Sequence, residues 1–558
     1  MNKSPEDKLL FLPLGGAGEI GMNLNLYGYG PEDEESWIIV DLGITFGNGS
    51  HPGVDVIAPD PSFIEERQDQ LAGLVLTHAH EDHLGAVPYL WERIGCPIIY
   101  ATPFTISILS RKLSDAGLLK RATIIEIPLG GKFTIGSFNM ELITLTHSIP
   151  EPNAIAIRTP VGTVLHTGDW KFDPDPVIGE PSDEEGLRAL GDEGVLAIVC
   201  DSTNVFTPGH SGSEADLLKS LTDVIRGCTG RVAVACFASN VARLETISAA
   251  AKATGRDVVL AGRSLWRFQE AARENGYMSD TAEFLDEESC GFLPKDKTLI
   301  VCTGSQGEPR AALARIASGD HPRVSLGEGD TVIFSSRIIP GNEASIGRLQ
   351  NQLVRRDITV LTERDHFVHV SGHPARDELT QMYQHVRPQI SIPVHGEIRH
   401  MSEHAKLARE CQVPCTVVVE NGAVVEIKSN GKAEIIDHVP SGRLTLEGNR
   451  MVPMESELVK GRTRTMWNGS VVVTVVVDDQ GELVADPQMT TFGLLDDVED
   501  DDLQDQALDA ACQAIEDIKD SANCSDKDMS ELARIAVRKT FRRLLDKKPI
   551  VRVHLIRV

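Results

Sequence analysis

The sequence predicts a multi-domain α/β protein, and three features carry that expectation. The first 200 residues read as short apolar strands separated by glycine turns, with helical stretches between them. From about 206 to 365 the rhythm becomes regular strand–helix alternation, the pattern of a mostly parallel sheet covered by helices. Residues 366–440 then return to the strand-and-loop chemistry of the first segment. The chain has 558 residues, too many for one ordinary domain; about three or four are expected.

In the first segment Leu9–Leu14, Met22–Tyr27, Trp37–Val40 and Leu74–Thr77 read as strands. Pro88–Ile94 and Pro103–Ala116 have helical spacing. In the second, Arg231–Cys236, Asp257–Ala261, Thr298–Cys302 and Thr331–Ser335 read as strands. Val241–Thr254 and a stretch ending at Glu274 read as helices. Residues 441–466 are rich in Gly, Arg, Met and Glu without a clear period, so a linker is expected there. The tail from 467 offers a β-branched strand (Val471–Val477), a turn at Asp478–Gly481, two helices and a last strand (Ile550–Ile556). Its second helix, about 529–546, is basic on one side through Arg534, Arg538, Arg542 and Arg543; the tail helices read as packing and oligomer surface rather than a catalytic element, with a solvated face as the equal alternative for Arg534, Arg538 and Arg542. No internal repeat is visible.

Formal net charge is −28, which taken alone argues against a nucleic-acid partner. The charge is uneven, however. Residues 496–531 hold 14 Asp or Glu against two Lys, and the run Asp-Asp-Val-Glu-Asp-Asp-Asp at 496–502 reads as a solvated loop. A cleft can still focus a positive field that the total charge hides. The ten cysteines form no CxxC pair, which favours buried thiols in a reducing cytoplasm over a disulfide framework. No run of about 18 apolar residues occurs, and Met1–Lys8 is charged with no apolar core after it, so neither a membrane span nor a signal peptide is expected.

The strongest chemical signal is Leu74-Val-Leu-Thr-His78-Ala-His80-Glu-Asp82-His83-Leu-Gly. A strand delivers the chain to a loop holding four ligand-type side chains within six residues. His78 and His80, two apart in an extended loop, can face one ion; Asp82 and His83 can reach a second. Imidazole and carboxylate ligands suit zinc, with manganese as the alternative. A two-metal site needs further ligands, including a bridging carboxylate. His147, Asp169 (in His-Thr-Gly-Asp) and His395 (in Pro-Val-His-Gly-Glu) each follow an apolar strand-like run and are the candidates.

With those residues in place the chain resembles the metallo-β-lactamase fold, whose pattern is an early Asp (Asp41), HxHxDH, a later His (His147) and a later Asp (Asp169). In compact members the last His follows the bridging Asp closely. Here Asp169 and His395 stand far apart, so a domain must be inserted, which resembles the β-CASP branch that acts on nucleic acid. That branch's motifs match Asp201 in Cys-Asp-Ser-Thr-Asn, His373 in His369-Val-Ser-Gly-His373, and His395 in the form typical of RNA-cutting members. Leu14-Gly-Gly-Ala-Gly-Glu-Ile-Gly, Phe237-Ala-Ser-Asn, Thr303-Gly-Ser-Gln-Gly-Glu-Pro and Ser335-Ser-Arg-Ile-Ile-Pro-Gly-Asn-Glu are similar to stretches of the ribonuclease J family, over roughly residues 8–440.

The resemblance implies an αββα sandwich (1–205 and 366–450) with an inserted β-CASP α/β domain (206–365), a linker (451–466) and a small C-terminal α/β domain (467–558). It implies a cytoplasmic, metal-dependent ribonuclease with 5′-to-3′ exonuclease and endonuclease activity on single-stranded RNA, serving RNA maturation and decay. His78, His80 and His147 would hold one Zn²⁺; Asp82, His83 and His395 the other; Asp169 would bridge them, with Mn²⁺ or Mg²⁺ as alternatives. A hydroxide between the ions would attack phosphorus in line, Asp82 could double as base, and Asp41 would orient a ligand imidazole. His373, oriented by Asp201, is expected to protonate the leaving oxygen or, as the alternative, to bind the phosphate without transferring its proton, and His369, Val370, Ser371, Gly372 and His373 are expected to line the phosphate backbone. A preferred 5′-monophosphate would need short polar donors and a cation, for which Ala238, Ser239, Asn240, Arg263, Ser264, Gly304 and Ser305 are expected. The family's C-terminal domain supports dimers or tetramers.

Three rivals are weighed. A thioester or lactam hydrolase of the same fold has no use for the inserted domain or the His373 motif. A non-catalytic RNA-binding subunit would have lost ligands that are all present here. A DNA nuclease is disfavoured by His395. Gly15-Gly-Ala-Gly lacks a following GK[ST], so nucleotide binding there is not expected. Gly209-His-Ser-Gly-Ser reads as a turn entering a helix rather than a nucleophile elbow.

Overall fold

The structure is a computed structural model describing residues 7–47, 49–496, 500–519 and 525–558. The N-terminal stretch Met1–Lys8 and the acidic run 496–502 thus lie partly outside the described residues. The described residues fall into two compact units: those up to Phe46 with Val56–Met451, and those of Gly47–Asp55 with Val452–Val558.

Two sheets form the body of the first unit. One has eight strands, in the order Lys432–His438, Ala423–Lys428, Lys8–Gly15, Leu24–Gly30, Ser36–Val40, Leu71–Val75, Ile99–Ala101 and Ile124–Glu126. The other has seven: Lys132–Ile135, Phe138–Thr144, Asn153–Thr159, Gly162–His166, Ala197–Asp201, Ile390–Val394 and Cys415–Thr416. Side chains alternate across a strand. Leu9, Phe11, Ile38 and Val40 therefore meet Ile155, Ile157, Val199 and Ile392 in a core between the sheets. Leu10, Leu12, Leu26 and Ile39 point the other way, onto Leu84, Leu90, Trp91 and Phe104 of the covering helices. On the far face of the second sheet, Ala154, Ile198 and Cys200 pack on Leu187, Leu379, Met382 and Leu407. Burial on both faces explains why these strands read as continuous apolar runs. The result is the expected αββα sandwich.

The parallel sheet expected from strand–helix alternation is present as Asp257–Ala261, Thr298–Cys302, Val232–Ala235, Thr331–Phe334 and Thr359–Leu361, all parallel. Helices Glu214–Arg226, Val241–Thr254 and Arg263–Glu274 cover one face. Ala312–Ser318 and Glu343–Val354 cover the other. Ser213 caps the first of these helices by accepting from Ala215 N, so Gly209–Ser213 is the helix-entering turn expected.

Arg243 ties this sheet to the segment carrying His373. Its guanidinium is fully buried and donates to Glu214 (2.7 and 3.1 Å), to the carbonyl and hydroxyl of Ser335 (2.8 and 2.7 Å) and to Val370 O (3.3 Å). Ser335 Oγ in turn donates to Val368 O at 2.6 Å.

In the second unit Ser470–Val477 is the middle strand between Leu483–Phe492 and Ile550–Arg557. Its alternate valines, Val471, Val473, Val475 and Val477, pack against Ala507, Ala511, Ile515, Ala533, Val537 and Phe541 of helices Asp501–Lys519 and Asp526–Leu545. On the second helix Arg534 pairs with Glu531 at 2.6 Å. The linker expected at 451–466 is not one. Arg450–Pro453 is a strand and Glu457–Asn468 a helix. Ser456 caps that helix, its hydroxyl accepting from Val459 N, and only Val459 is buried on it. A helix with one buried residue carries almost no apolar period, so the pattern did not announce it.

Removing one partner of a buried ion pair strands the other. Arg243→Ala should lower stability by about 3–5 kcal/mol, since it leaves Glu214 buried and unpaired. Urea unfolding followed by tryptophan fluorescence checks this, the expected result being a clearly lower midpoint.

Candidate metal centre

The cluster is assembled at one edge of the two sheets. Ser36–Val40 and Leu71–Val75 run parallel, with Val40 opposite Val75, so Asp41 and Leu76–Thr77 leave the sheet side by side. Asp41 sits at φ 65° and is fully buried. It accepts from Thr77 N and Thr77 Oγ1, both at 2.8 Å, and from His83 Nδ1 at 2.7 Å. The last contact fixes the His83 ring and turns its Nε2 to Asp169 Oδ2, 3.1 Å away, with Asn23 Nδ2 at 3.2 Å. Gly43 makes this approach feasible: a Cβ there would lie 1.7 Å from Asp82 O.

His147 follows Phe138–Thr144. Its Nδ1 donates to Gly372 O at 2.5 Å, leaving Nε2 free. Gly372 must be glycine, because a Cβ would meet His147 Cε1 at 2.6 Å. His395 follows Ile390–Val394 at φ 51°. Its Nδ1 donates to Thr203 Oγ1 at 2.8 Å, whose hydroxyl donates to Asp201 Oδ1 at 2.6 Å. Thr77 Oγ1 lies 3.0 Å from His78 Nδ1.

Three overlapping ligand groups result among the described residues; Asp169, Asp201, His373 and His395 form one, and the other two are those expected from the sequence. His78 Nε2, His80 Nδ1 and His147 Nε2 converge, with spacings of 3.0 and 3.1 Å, and Asp169 joins them. Asp82, His83 and His395 converge beside them, with Asp82 Oδ2 at 3.1 Å from His395 Nε2 and 3.5 Å from His83 Nε2, and Asp169 joins them too. Zinc bonds of 2.0–2.1 Å in a tetrahedron would set ligand atoms about 3.3 Å apart, so the spacings suit such ions. Asp169 Oδ1 is buried with no hydrogen-bond partner among the described residues, although His395 Nε2 lies 3.7 Å away. A buried oxygen left so is costly unless a cation satisfies it.

Electrostatics fit the same reading. Burial, reinforced by neighbouring rings, holds His78 and His147 well below the usual imidazole pKa; burial brings His80 to about 4. All three are neutral, as ligands must be. At His83 and His395 burial also disfavours charge, but Asp169 and the nearby carboxylates outweigh it and raise both. These carboxylates draw positive charge into the centre.

His373 stands at the open side. Its Nδ1 donates to Asp201 Oδ2 at 2.8 Å, and its ring stacks on His395 at 5.5 Å. Its side chain is 23% exposed, whereas those of His83 and His395 are 2–3% exposed. Burial opposes its charged form, yet Asp201 and Asp169 raise its pKa overall. Asn204 Nδ2 donates to Ser371 Oγ (2.7 Å) and His373 O (3.1 Å), and Arg337 donates to Asn204 Oδ1 (3.0 Å).

Some expected positions serve otherwise. Gly372 presents its carbonyl to His147. Val370 is buried, its side chain packed beside Gly212. His369 is kept neutral by burial and by Arg243, Arg337 and Lys171. Ala238–Asn240, Arg263–Ser264 and Gly304–Ser305 follow adjacent parallel strands and so share one sheet edge, where α/β folds bind ligands. Arg263 and Ser264 are exposed, Ala238 and Ser239 half-buried, and Ser305 buried. Asn240 is also buried, its side chain capping a helix by accepting from Arg243 N. Sequence reasoning missed Thr77, Thr203, Asn204, Arg243 and Arg337. Thr77, Thr203, Asn204 and Arg337 carried a signal, since each stands within a stretch quoted for its motif; Arg243 did not.

Family models match four stretches. Residues 30–231 match the metallo-beta-lactamase superfamily, and 229–353 the ribonuclease J beta-CASP domain. Residues 357–418 match the Zn-dependent metallo-hydrolase RNA specificity domain, and 458–558 the ribonuclease J C-terminal domain. The chain is 42% identical over 554 residues to ribonuclease J of Sinorhizobium meliloti, covering 99% of this chain and 98% of that one. It is 37% identical over 500 residues to ribonuclease J of Corynebacterium glutamicum, covering 89% and 68%. The crystal structure of a protein of unknown function from Enterococcus faecalis shares the fold alone, at 17% identity and TM-score 0.50, over 75% of this chain and 100% of that one.

Asp41→Ala would free the His83 ring without touching a ligand. Metal affinity should fall about 10- to 100-fold, measured by chelator competition; unchanged affinity would remove Asp41 from the centre's support.

Proposed function

The chain belongs to the ribonuclease J family and is a metal-dependent ribonuclease, and from that premise we propose how its residues divide the work. His78, His80 and His147 hold one divalent ion, Asp82, His83 and His395 the other, and Asp169 bridges them, with Zn²⁺ as the favoured metal. The observation that carries this is Asp169, which belongs to both ligand groups and keeps one buried oxygen unpaired. When bound, such ions supply a water of lowered pKa and neutralise charge on the phosphate.

The chain's own groups supply the rest. His373 gives its Nε2 proton to the leaving 3′ oxygen. Asp201 holds the ring by Nδ1 and helps keep it protonated, the condition a general acid needs. Asp82 is a ligand of the second ion and the base that accepts the water's proton. His369 and Ser371 face the phosphate backbone, with the Arg337 guanidinium beside them on Asn204.

The activity is 5′-to-3′ exonucleolytic and endonucleolytic on single-stranded RNA, serving maturation and decay. Arg263, Ser264, Gly304, Ser305 and Ser239 are the candidate seat of a 5′-monophosphate. The working form is a homodimer or homotetramer in the cytoplasm; among the described residues no helix is long and apolar enough to cross a membrane.

His373→Ala should retain its metals and lose about 10²- to 10⁴-fold in cleavage rate, read by metal analysis and single-turnover cleavage of end-labelled RNA. Near wild-type cleavage would remove His373 from the chemistry. In the same assay, 5′-monophosphorylated RNA should be degraded faster than 5′-triphosphorylated RNA. Equal rates would refute the pocket.

A further inference from the structure

Phe206 lies in the loop after Ala197–Asp201, and 53% of its surface is open. Its ring is nevertheless held in place. His400 meets it edge-on with ring centroids 5.3 Å apart, and the Arg399 guanidinium carbon lies 5.7 Å from its centroid. Both partners come from the first turn of helix Ile398–Glu410, directly after His395.

The loop is pinned to the centre on two sides. Asn204 Nδ2 donates to His373 O, and Arg376 N donates to Thr207 O at 2.9 Å. A Cβ on Gly396 would lie 2.9 Å from His400 Cβ and 3.1 Å from Ser202 Cβ, so loop and helix start touch beside His395. Ile398, half exposed, extends the apolar surface. Arg399 is paired with Glu397 at 3.0 Å, so the patch is close to neutral and ill-suited to a phosphate. What suits a rigid, open aromatic ring framed by a guanidinium is a nucleobase.

We propose that Phe206, framed by Arg399 and His400, is a stacking platform for a base of the RNA strand beside the metal centre. The inference rests on the ribonuclease reading above and adds a contact to it. Stacking suits this chain: its net charge of −28 penalises backbone attraction. A base–aromatic contact needs no charge and accepts any base.

The test compares the metal-loaded full chain binding two fluorescein-labelled decamers, a 2′-O-methyl oligoadenylate and an abasic oligomer, by anisotropy. Wild type should prefer the base-bearing strand. In Phe206→Ala that preference should fall about 5- to 100-fold, and Phe206→Trp should restore it. A preference unchanged by Phe206→Ala, or an equal loss for both oligomers, overturns the platform. Failure of the wild type to cut unmodified RNA would overturn the ribonuclease reading instead, because binding is scored without cleavage.

Discussion

The centre depends on three buried carboxylates and on the groups that satisfy them. Asp41, Asp169 and Asp201 are all but inaccessible, and an ionised carboxylate costs several kcal/mol to bury without partners. Asp41 is satisfied by Thr77 and His83, and Asp201 by Thr203 and His373. Each thereby aims or anchors an imidazole. Asp169 keeps an oxygen without a hydrogen bond, between the two expected ligand groups. Two carboxylates thus act as struts, and the third waits for cations.

Topology explains how a site can survive the insertion of a whole domain. Gly162–His166, Ala197–Asp201 and Ile390–Val394 are neighbouring parallel strands, with Val199 beside both His166 and Ile392, and Asp201 beside Val394. The residues just past their C-terminal ends are Asp169 and His395, and Asp201 is itself a strand's last residue. The chain leaves the sheet after Asp201 and comes back at its opposite edge, where Ile390 lies beside Ala197, so the second strand runs parallel to the first and brings His395 out beside Asp201. The entropy of closing a longer excursion grows only logarithmically with its length. Arg243 and Asn204 then hold the inserted sheet's edge and the His373 segment against the centre.

Much of this was legible in the sequence because its determinants are local. His78, His80, Asp82 and His83 share one loop, and the inserted strands Asp257–Ala261 and Thr298–Cys302 are short, apolar and bounded by turns. Asp41, Asp201 and His373 were legible by resemblance, but their partners were not. Thr203 matters only because folding brings it to His395, and Arg243 because it meets Ser335 and Val370. The contact of Gly372 O with His147 and the turn of the Val370 side chain into the core were not legible for the same reason: neither leaves a mark on composition. The helix Glu457–Asn468 escaped notice because it buries a single residue.

The account turns on Asp169 serving both ions, and Asp169→Asn tests that most directly. Metal content per chain should be about two divalent ions in the wild type and should drop at both positions in the variant, together with RNA cleavage. A variant that keeps two ions and turns over RNA at close to the wild-type rate would contradict the shared-carboxylate centre.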